Sequence, residues 1–385
     1  MNKFTRFLTY VLVAAAASAA TFFVAMGPMR SMGLSKLDEL EGLIQSRFIG
    51  EVDTAAIEDA AADAMVNALG DKWSRYLPAG EFQAYQEQMN NAYVGVGVTI
   101  QVREEQDGFL VVQVEESGPA KEAGIQIGDI LTGADGTDFS GMTTGEAGDI
   151  VRGVEGSYVE LAIVRDGASL TIPVQRRRIQ VQVAKGEMLD HSIGLVTIEN
   201  FDARCADETI GAIEMLLEQG AEKLIFDVRN NPGGYKHELV EVLDYLLPEG
   251  PLFRSEDYAG RMEVDESEAG CLEIPMAVLV NENSYSAAEF FAAALSEYDA
   301  AIVVGTQTSG KGYFQQTYEL SDGSAVGLSV GKYTTPKGVS LANVGLTPDV
   351  VENVDEETMG LIYNGLLEAG EDPQIQAAVD ALLAE

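Results

Sequence analysis

Ser286 lies in Asn283-Ser284-Tyr285-Ser286-Ala287-Ala288-Glu289, and Lys311 follows 25 residues later in Ser309-Gly310-Lys311-Gly312, with Gln315 four residues further on. The chain has two histidines, His191 and His237, and neither falls in a serine–histidine constellation. An activated serine would therefore take lysine as its base, a pairing suited to peptide-bond cleavage. A free lysine is protonated at neutral pH, but an apolar, water-poor pocket lowers its pKa by several units. The glycines beside Lys311 permit close backbone approach, and Gln315 is spaced to orient the amine. Without that chemistry, Lys311 is a solvated turn lysine and Ser286 the N-cap of the apolar helix that follows, with Glu289 completing a capping box. The N-cap and nucleophile readings are compatible, because a helix N-terminus presents free N–H groups and a positive dipole end. The Ala287 N–H is then a donor to an oxyanion. Ser284 is the competing nucleophile.

Asp227-Val228-Arg229-Asn230-Asn231-Pro232-Gly233-Gly234 follows a buried-strand run. Gly233 and Gly234 can supply the second oxyanion donor, or the segment is only a tight strand-to-helix turn. Upstream, Val94, Gly95, Val96 and Gly97 form a glycine-flanked stretch whose N–H groups can converge on a terminal carboxylate while a peptide adds to the neighbouring sheet edge. The bland alternative is a hairpin loop. Gly305–Lys311 nearly spells a phosphate-binding loop. However, Gly312 stands where a Ser or Thr hydroxyl would hold magnesium, and an extended stretch follows where a helix is needed, which argues against nucleotide binding.

The elements that must position these residues follow from periodicity. Leu37, Leu40, Leu43, Ile44 and Phe48, then Ile57, Ala61, Met65, Val66 and Leu69, recur at helical steps, so residues 35–90 read as a helical packing or dimerisation unit. From Ala92 to about Val174 the pattern is short strands and glycine turns, closing on an Asp166-Gly167 hairpin signal. From Ile179 to Asp349 strands and amphipathic helices alternate, which argues a layered α/β core. A last helix runs from Asp372-Pro373 to Leu383, with Asp at the N-cap and Pro at the first position.

Composition bounds the rest. With 24 basic and 62 acidic residues the net charge is −38, which repels nucleic acid and anionic lipid surfaces. No metal-ligand spacing occurs, and neither metal nor cofactor is expected. Cys205 and Cys271 are either one disulfide or two thiols. Lys3 and Arg6 precede an apolar run from Phe7 to Met26, long enough to span a bilayer with the rest of the chain exported. Ala17-Ser18-Ala19 is similar to a signal-peptidase site, so the segment is either a retained anchor or a cleaved signal.

Tyr93–Arg165, with Gly118-Pro119-Ala120, Ala123-Gly124-Ile125 and Gly128-Asp129-Ile130-Leu131, resembles a PDZ domain of bacterial proteases. From about Leu37 to Leu383 the chain resembles the tail-specific, carboxyl-terminal processing serine peptidases with a Ser-Lys dyad. The motifs that carry the likeness arrive in family order: Asp71-Lys72-Trp73-Ser74-Arg75-Tyr76-Leu77, the PDZ module, Arg229–Gly234, Ser284–Glu289, Gly310-Lys311-Gly312 with Gln315, and Gly345-Leu346-Thr347-Pro348-Asp349. The resemblance implies Ser286 as nucleophile, Lys311 as general base, Gln315 as orienter of the lysine, and Ala287 with Gly233 or Gly234 as oxyanion donors. Tyr285 and Ser309 depart from the family pattern and bear on the cleft wall.

The resulting expectation is a multidomain α/β protein. Residues 1–30 would be a cytoplasmic start and membrane anchor or signal, 31–90 an N-terminal helical region, 91–173 a PDZ domain (β-rich α+β), 174–350 a layered α/β peptidase core, and 351–385 a C-terminal helical tail. Its function would be extracytoplasmic endopeptidase action on protein or peptide substrates captured by their C-termini, in a possible homodimer. A non-catalytic PDZ tail-binding scaffold is the alternative.

Overall fold

The computed structural model describes residues 35–384 apart from 104–106, 116, 269 and 364–365. The apolar run of residues 7–26, and with it the anchor-or-signal expectation, lies outside the described residues. The chain divides into two compact units, one reaching to Met65 and one from Val66 onward. In the first, helix Lys36–Arg47 starts at a reciprocal cap: Ser35 Oγ accepts from the Asp38 N–H at 3.2 Å, and Asp38 accepts from the Ser35 N–H at 2.8 Å. Leu37, Leu40 and Leu43 of this helix are exposed.

The region 31–90 is not helical throughout. Arg75–Leu77 is a strand and Ala79–Met89 a separate helix. Pro78, which cannot sit inside a helix, divides them, and Tyr76 and Leu77 bury as β-formers against Ala325–Gly327. The Asp71–Leu77 motif thereby belongs to the larger unit.

At the centre of that unit is a six-stranded sheet in the order Ala184–Leu189, Ile193–Ile198, Lys223–Asp227, Met276–Val280, Ala301–Gly305 and Val350–Val351. The first pair is antiparallel and the rest are parallel. Alternate residues on a strand face opposite sides, and here they enter two different cores. Val196, Ile198, Leu224, Phe226, Val278 and Val280 pack under helices Cys205–Glu218, Lys236–Leu246 and Ala287–Glu297. Ile193, Leu195, Ile225, Ala277, Leu279 and Val304 pack against Ile375, Ala378, Val379 and Leu382 of helix Pro373–Ala384. The C-terminal helix is thus the cover of the sheet's second face. Its start matches the Asp-Pro signal, with Asp372 accepting from the Gln374 N–H at 2.9 Å.

A second, antiparallel sheet runs Arg75–Leu77, Ala325–Thr334, Gly250–Asp257, Met262–Ser267, with Tyr313–Glu319 also pairing along Ala325–Thr334. Residues 98–175 form the β-rich module, its sheet ordered Val98–Val102, Phe109–Val114, Ile130–Ala134, Tyr158–Arg165, Ala168–Gln175. Phe109, Phe139, Leu161 and Ile163 are buried in its own core. The chain enters and leaves the module as a two-stranded ribbon, Ala92–Gly95 against Arg177–Gln180. The loop expected at Val94–Gly97 is accordingly shorter, because Val94 and Gly95 pair with Arg178 and Arg177. Cys205 is buried and Cys271 exposed, and both are free thiols.

Candidate active site

Ser286 ends the turn that follows strand Met276–Val280 and caps helix Ala287–Glu297. Its backbone sits at φ 60°, ψ −126°, a conformation that costs a non-glycine residue about 1–3 kcal/mol. Such a strained strand-to-helix turn thrusts a side chain out of the sheet, as nucleophile elbows do. The neighbouring buried packing holds it there: Phe290 and Phe291 are fully buried, and Phe291 meets Phe226 edge-on at 5.3 Å. Ser284 is a different kind of serine. It is fully buried, donating to the Val228 carbonyl at 2.7 Å and accepting from the Asn281 N–H at 3.0 Å, so its hydroxyl is committed to the turn. Ser286 instead lines an open cleft of about 960 Å³ together with Lys311, Gln315, Gly233, Gly234 and Ala287.

Glu289 ties the two halves of the site. It is fully buried, and its carboxylate accepts from the Ser286 N–H (3.0 Å), the Lys311 N–H (2.9 Å), the Gly310 N–H (2.7 Å) and the Thr308 hydroxyl (2.6 Å). The capping-box glutamate read from the sequence thus also clamps the lysine loop. Gly310 has φ +80°, and a side chain there would run into the backbone of Val344 and Gly345 at 2.9 Å. After Gly312 the chain enters strand Tyr313–Glu319, not the helix that a phosphate loop requires.

The Lys311 amine stands 4.9 Å from the Trp73 ring centroid and 5.6 Å from that of Tyr285. Burial brings its pKa down from 10.5 to about 8. The Arg75 guanidinium adds to that, and the carboxylates of Glu289 and Asp71 oppose it. In this state Ser286 Oγ pairs not with Lys311 but with the Tyr333 hydroxyl, which donates to it at 3.0 Å. Tyr333 is fixed by aromatic contacts, Phe290 edge-on at 4.5 Å and Phe253 at 5.3 Å, and burial raises its phenol well above the usual value. Gln315 does not reach the lysine. Its amide donates to the Tyr313 carbonyl (3.0 Å) and to Ser329 Oγ (3.1 Å). Ser329 in turn donates its N–H to Ser74 Oγ (3.0 Å), which donates to Asp71 (2.6 Å).

The glycine turn abuts the serine. Gly233 has φ +86°, and a Cβ on it would lie 2.7 Å from both Ser286 Cβ and the Ala287 nitrogen. Only glycine allows that approach. Its own N–H, however, already donates to Asn231 Oδ1 at 2.8 Å, so Gly233 is not a free donor here. Ala287, first in its helix, has no intrahelical acceptor for its N–H. The Gly234 N–H likewise faces no acceptor among the described residues, while its neighbours bond to Phe201. Asp202, beside Phe201, also lines the cleft. It is 3% exposed, one carboxylate oxygen lacks any partner, and burial together with Glu238 raises its pKa to about 7.

Of the four residues read as a carboxylate nest, Val94 and Gly95 lie in the entry ribbon. Val96 is buried in the module core and its carbonyl accepts from Ala120 N–H, and the Gly97 carbonyl accepts from Glu115 N–H. Strand Val98–Val102 follows as an edge of the sheet. Trp73 and Tyr333 are the site residues that sequence reasoning did not single out. Trp73 was within reach, being the single tryptophan of the chain and part of the Asp71–Leu77 motif. Tyr333 carries no local signal, since it is an ordinary residue of a strand pattern.

Residues 192–352 match peptidase family S41, and residues 96–175 match the PDZ domain. The chain is 32% identical over 357 residues to the carboxy-terminal processing protease CtpA of Bacillus subtilis (strain 168), covering 89% of this chain and 76% of that one. It is 33% identical over 300 residues to the chloroplastic carboxyl-terminal-processing peptidase 2 of Arabidopsis thaliana, covering 74% of this chain and 58% of that one. The solved structure of the photosystem II D1 C-terminal processing protease aligns with 87% of this chain and 90% of its own, at 27% identity and a TM-score of 0.49.

Proposed function

With the chain belonging to peptidase family S41 and carrying a PDZ domain, we propose that it is a C-terminal processing serine peptidase working through Ser286 and Lys311. The observation that carries the assignment is a strained, cleft-facing Ser286 in one cleft with a lysine whose pKa is lowered to about 8. Ser286 Oγ attacks a backbone carbonyl of the substrate and passes its proton to neutral Lys311 Nζ. The Ala287 and Gly234 N–H groups receive the developing oxyanion, with Gly233 as the spacer that lets them converge. Collapse of the adduct expels the amine, which takes the proton back from Lys311. Water, deprotonated by the same lysine, then releases the acyl group.

For this to run, Lys311 must leave the rings of Trp73 and Tyr285 and replace Tyr333 as the partner of Ser286 Oγ. The lysine side chain has the torsional freedom to do so. Gln315 orients the amine once its amide turns from Ser329. The open edge of Val98–Val102, entered from Val94–Gly97, receives the substrate's C-terminal segment as an added strand, with its carboxylate at the glycine turn. The basic start and apolar run of residues 3–26 support an anchored or exported protein with its catalytic part outside the cytoplasm. The exposed leucines of helix Lys36–Arg47 support a homodimer.

The test is time-resolved mass spectrometry of unstructured peptides with free C-termini, with wild type, Ser286→Ala and Lys311→Ala run side by side. Cleavage by wild type and by neither variant is the expected result. Equal cleavage by all three refutes the nucleophile and base assignments. Intact tail binding with no cleavage by the wild type would favour the scaffold reading.

A further inference from the structure

In a chain of net charge −38, one wall of the cleft is positive. Lys72, Arg75 and Lys311 all line it, and none of the three forms an ion pair among the described residues. All three heads rest on aromatic faces instead: Lys72 Nζ lies 4.5 Å and Lys311 Nζ 4.9 Å from the Trp73 centroid, and the Arg75 guanidinium carbon 4.6 Å from that of Tyr85. The one carboxylate within this motif, Asp71, forms no ion pair with them and acts on Lys311 only at longer range. It accepts from the Trp73 N–H at 3.2 Å and the Ser74 hydroxyl at 2.6 Å. Elsewhere in the cleft Glu263 is paired with Lys236 at 3.2 Å, Asp202 is buried, and Glu319 is exposed on its own strand.

Lys72 and Arg75 flank Trp73, whose ring lies 5.9 Å from that of Tyr285, the residue before Ser286. A peptide bound for attack at Ser286 therefore runs past this wall. The acidic remainder of the surface does not cancel it, because at physiological salt charges beyond about 8 Å are largely screened, while groups within the cleft act at contact. A guanidinium stacked on a ring keeps its edge N–H groups free to take a carboxylate in bidentate fashion.

We propose that Lys72 and Arg75 form a carboxylate-binding subsite of the cleft, so that the peptidase favours substrates carrying an anionic group close to the scissile bond. The inference rests on cleavage at Ser286 as argued above. The shared chemistry is a carboxylate, supplied by an acidic side chain or by the substrate's own C-terminal α-carboxylate.

The experiment uses the full-length protein and short peptides. In one arm Gln is replaced by Glu at each position around the cut in C-terminally amidated peptides. In the other arm a peptide with all positions neutral is compared as free acid and as amide. The expected result is a three- to tenfold higher kcat/KM for the anionic member of one pair, the range of a partly exposed ion pair with charge-assisted hydrogen bonds, shrinking as salt rises from 50 to ~500 mM. Arg75→Gln and Lys72→Gln should bring that ratio toward one, and Arg75→Glu should invert it. The ratio is read within one protein preparation, so altered folding or an altered Lys311 pKa cancels. The same pairs are also titrated by anisotropy against Ser286→Ala. A preference in binding with no turnover by the wild type would sink the peptidase reading while the subsite stands. Equal affinities and equal rates for every pair, or a wild-type preference that survives all three substitutions, would overturn the subsite.

Discussion

Trp73→Ala tests whether the aromatic cage sets the ionisation of Lys311. The amine's pKa falls from 10.5 to about 8, a difference worth roughly 3 kcal/mol. At pH 7 that raises the neutral fraction from roughly one molecule in 3,000 to roughly one in eleven. The indole acts on this in two opposed ways. It excludes water, which disfavours the ammonium, and its face attracts the ammonium, which favours it. The attraction is worth about 0.5–1 kcal/mol at such a half-open site, well under the total shift, so exclusion of water dominates. With Tyr285 left as the remaining wall, removal of the indole is expected to raise the pKa by about one unit. Since the base must be neutral, kcat/KM at pH 7 should fall about tenfold and be regained above about pH 10. The assay is kcat/KM for a fluorogenic peptide from pH 6 to 11 at constant ionic strength, which reports ionisations of the free enzyme. A midpoint that stays in place or moves down, or a loss equal at every pH, would refute the cage as the origin of the lowered pKa.

Three further outcomes follow from the same geometry. Glu289→Gln cannot be conservative, because both carboxylate oxygens face donors and either orientation sets an NH2 against two of them. A stability loss of about 3–5 kcal/mol in urea titrations, with activity lost in the folded fraction, is expected, and wild-type values for both would contradict it. Gly233→Ala would place a Cβ 2.7 Å from Ser286 Cβ at a φ of +86°, so kcat should drop at least about a hundredfold while the melting temperature falls modestly. Asp202 has its pKa raised from 3.8 to about 7, so the folded state binds more protons between those values and stability declines as pH rises through that window. Asp202→Asn should therefore stabilise the protein at pH 8 by up to about 4 kcal/mol and little at pH 4, which denaturant midpoints at the two values would check.

Much of the site was readable because its parts are local. The capping relation of Ser286 to Glu289 spans three positions, the glycines of Arg229–Gly234 announce a turn, and the glycines around Lys311 announce close approach. Each is a constraint between near neighbours in sequence, and the structure gives each a contact. Where reasoning fell short, the controlling contact was remote. Gln315 is well spaced to reach Lys311, but a register shift in its pairing, Phe314 with Gly331 and then Gln315 with Ser329, turns its amide to Ser329. Tyr333 meets Ser286 across 47 positions, through a sheet whose pairing no pattern in residues 325–334 declares. Gly233 looked like a donor because glycine turns expose N–H groups, yet the asparagine two residues before it takes that N–H first.

Another contact set between distant parts of the chain is the junction between the PDZ module and the peptidase core, and it has a mechanical consequence. Asn91, just before the entry ribbon, exchanges side-chain hydrogen bonds with Asn200 at 3.0 and 2.9 Å and donates to the Ala203 carbonyl at 3.0 Å. Arg204 holds the carbonyls of Asn90, Asn91 and Val181, just beyond the ends of the ribbon's two strands, at 2.6–3.2 Å. The same short segment, at Phe201, is bonded on its other side to Gly233 and Tyr235 at 2.8 and 2.7 Å, the turn that abuts Ser286. A polar clamp therefore joins the root of the module to the glycine turn through about five residues, with the unpaired carboxylate of Asp202 in its middle. Hydrogen bonds of this kind contribute about 0.5–1.5 kcal/mol each. Displacing the ribbon must then either break several of them, at a cost of several kcal/mol, or carry residues 200–204 along. The second course shifts the backbone against which Gly234 is packed, and with it the N–H assigned to the oxyanion.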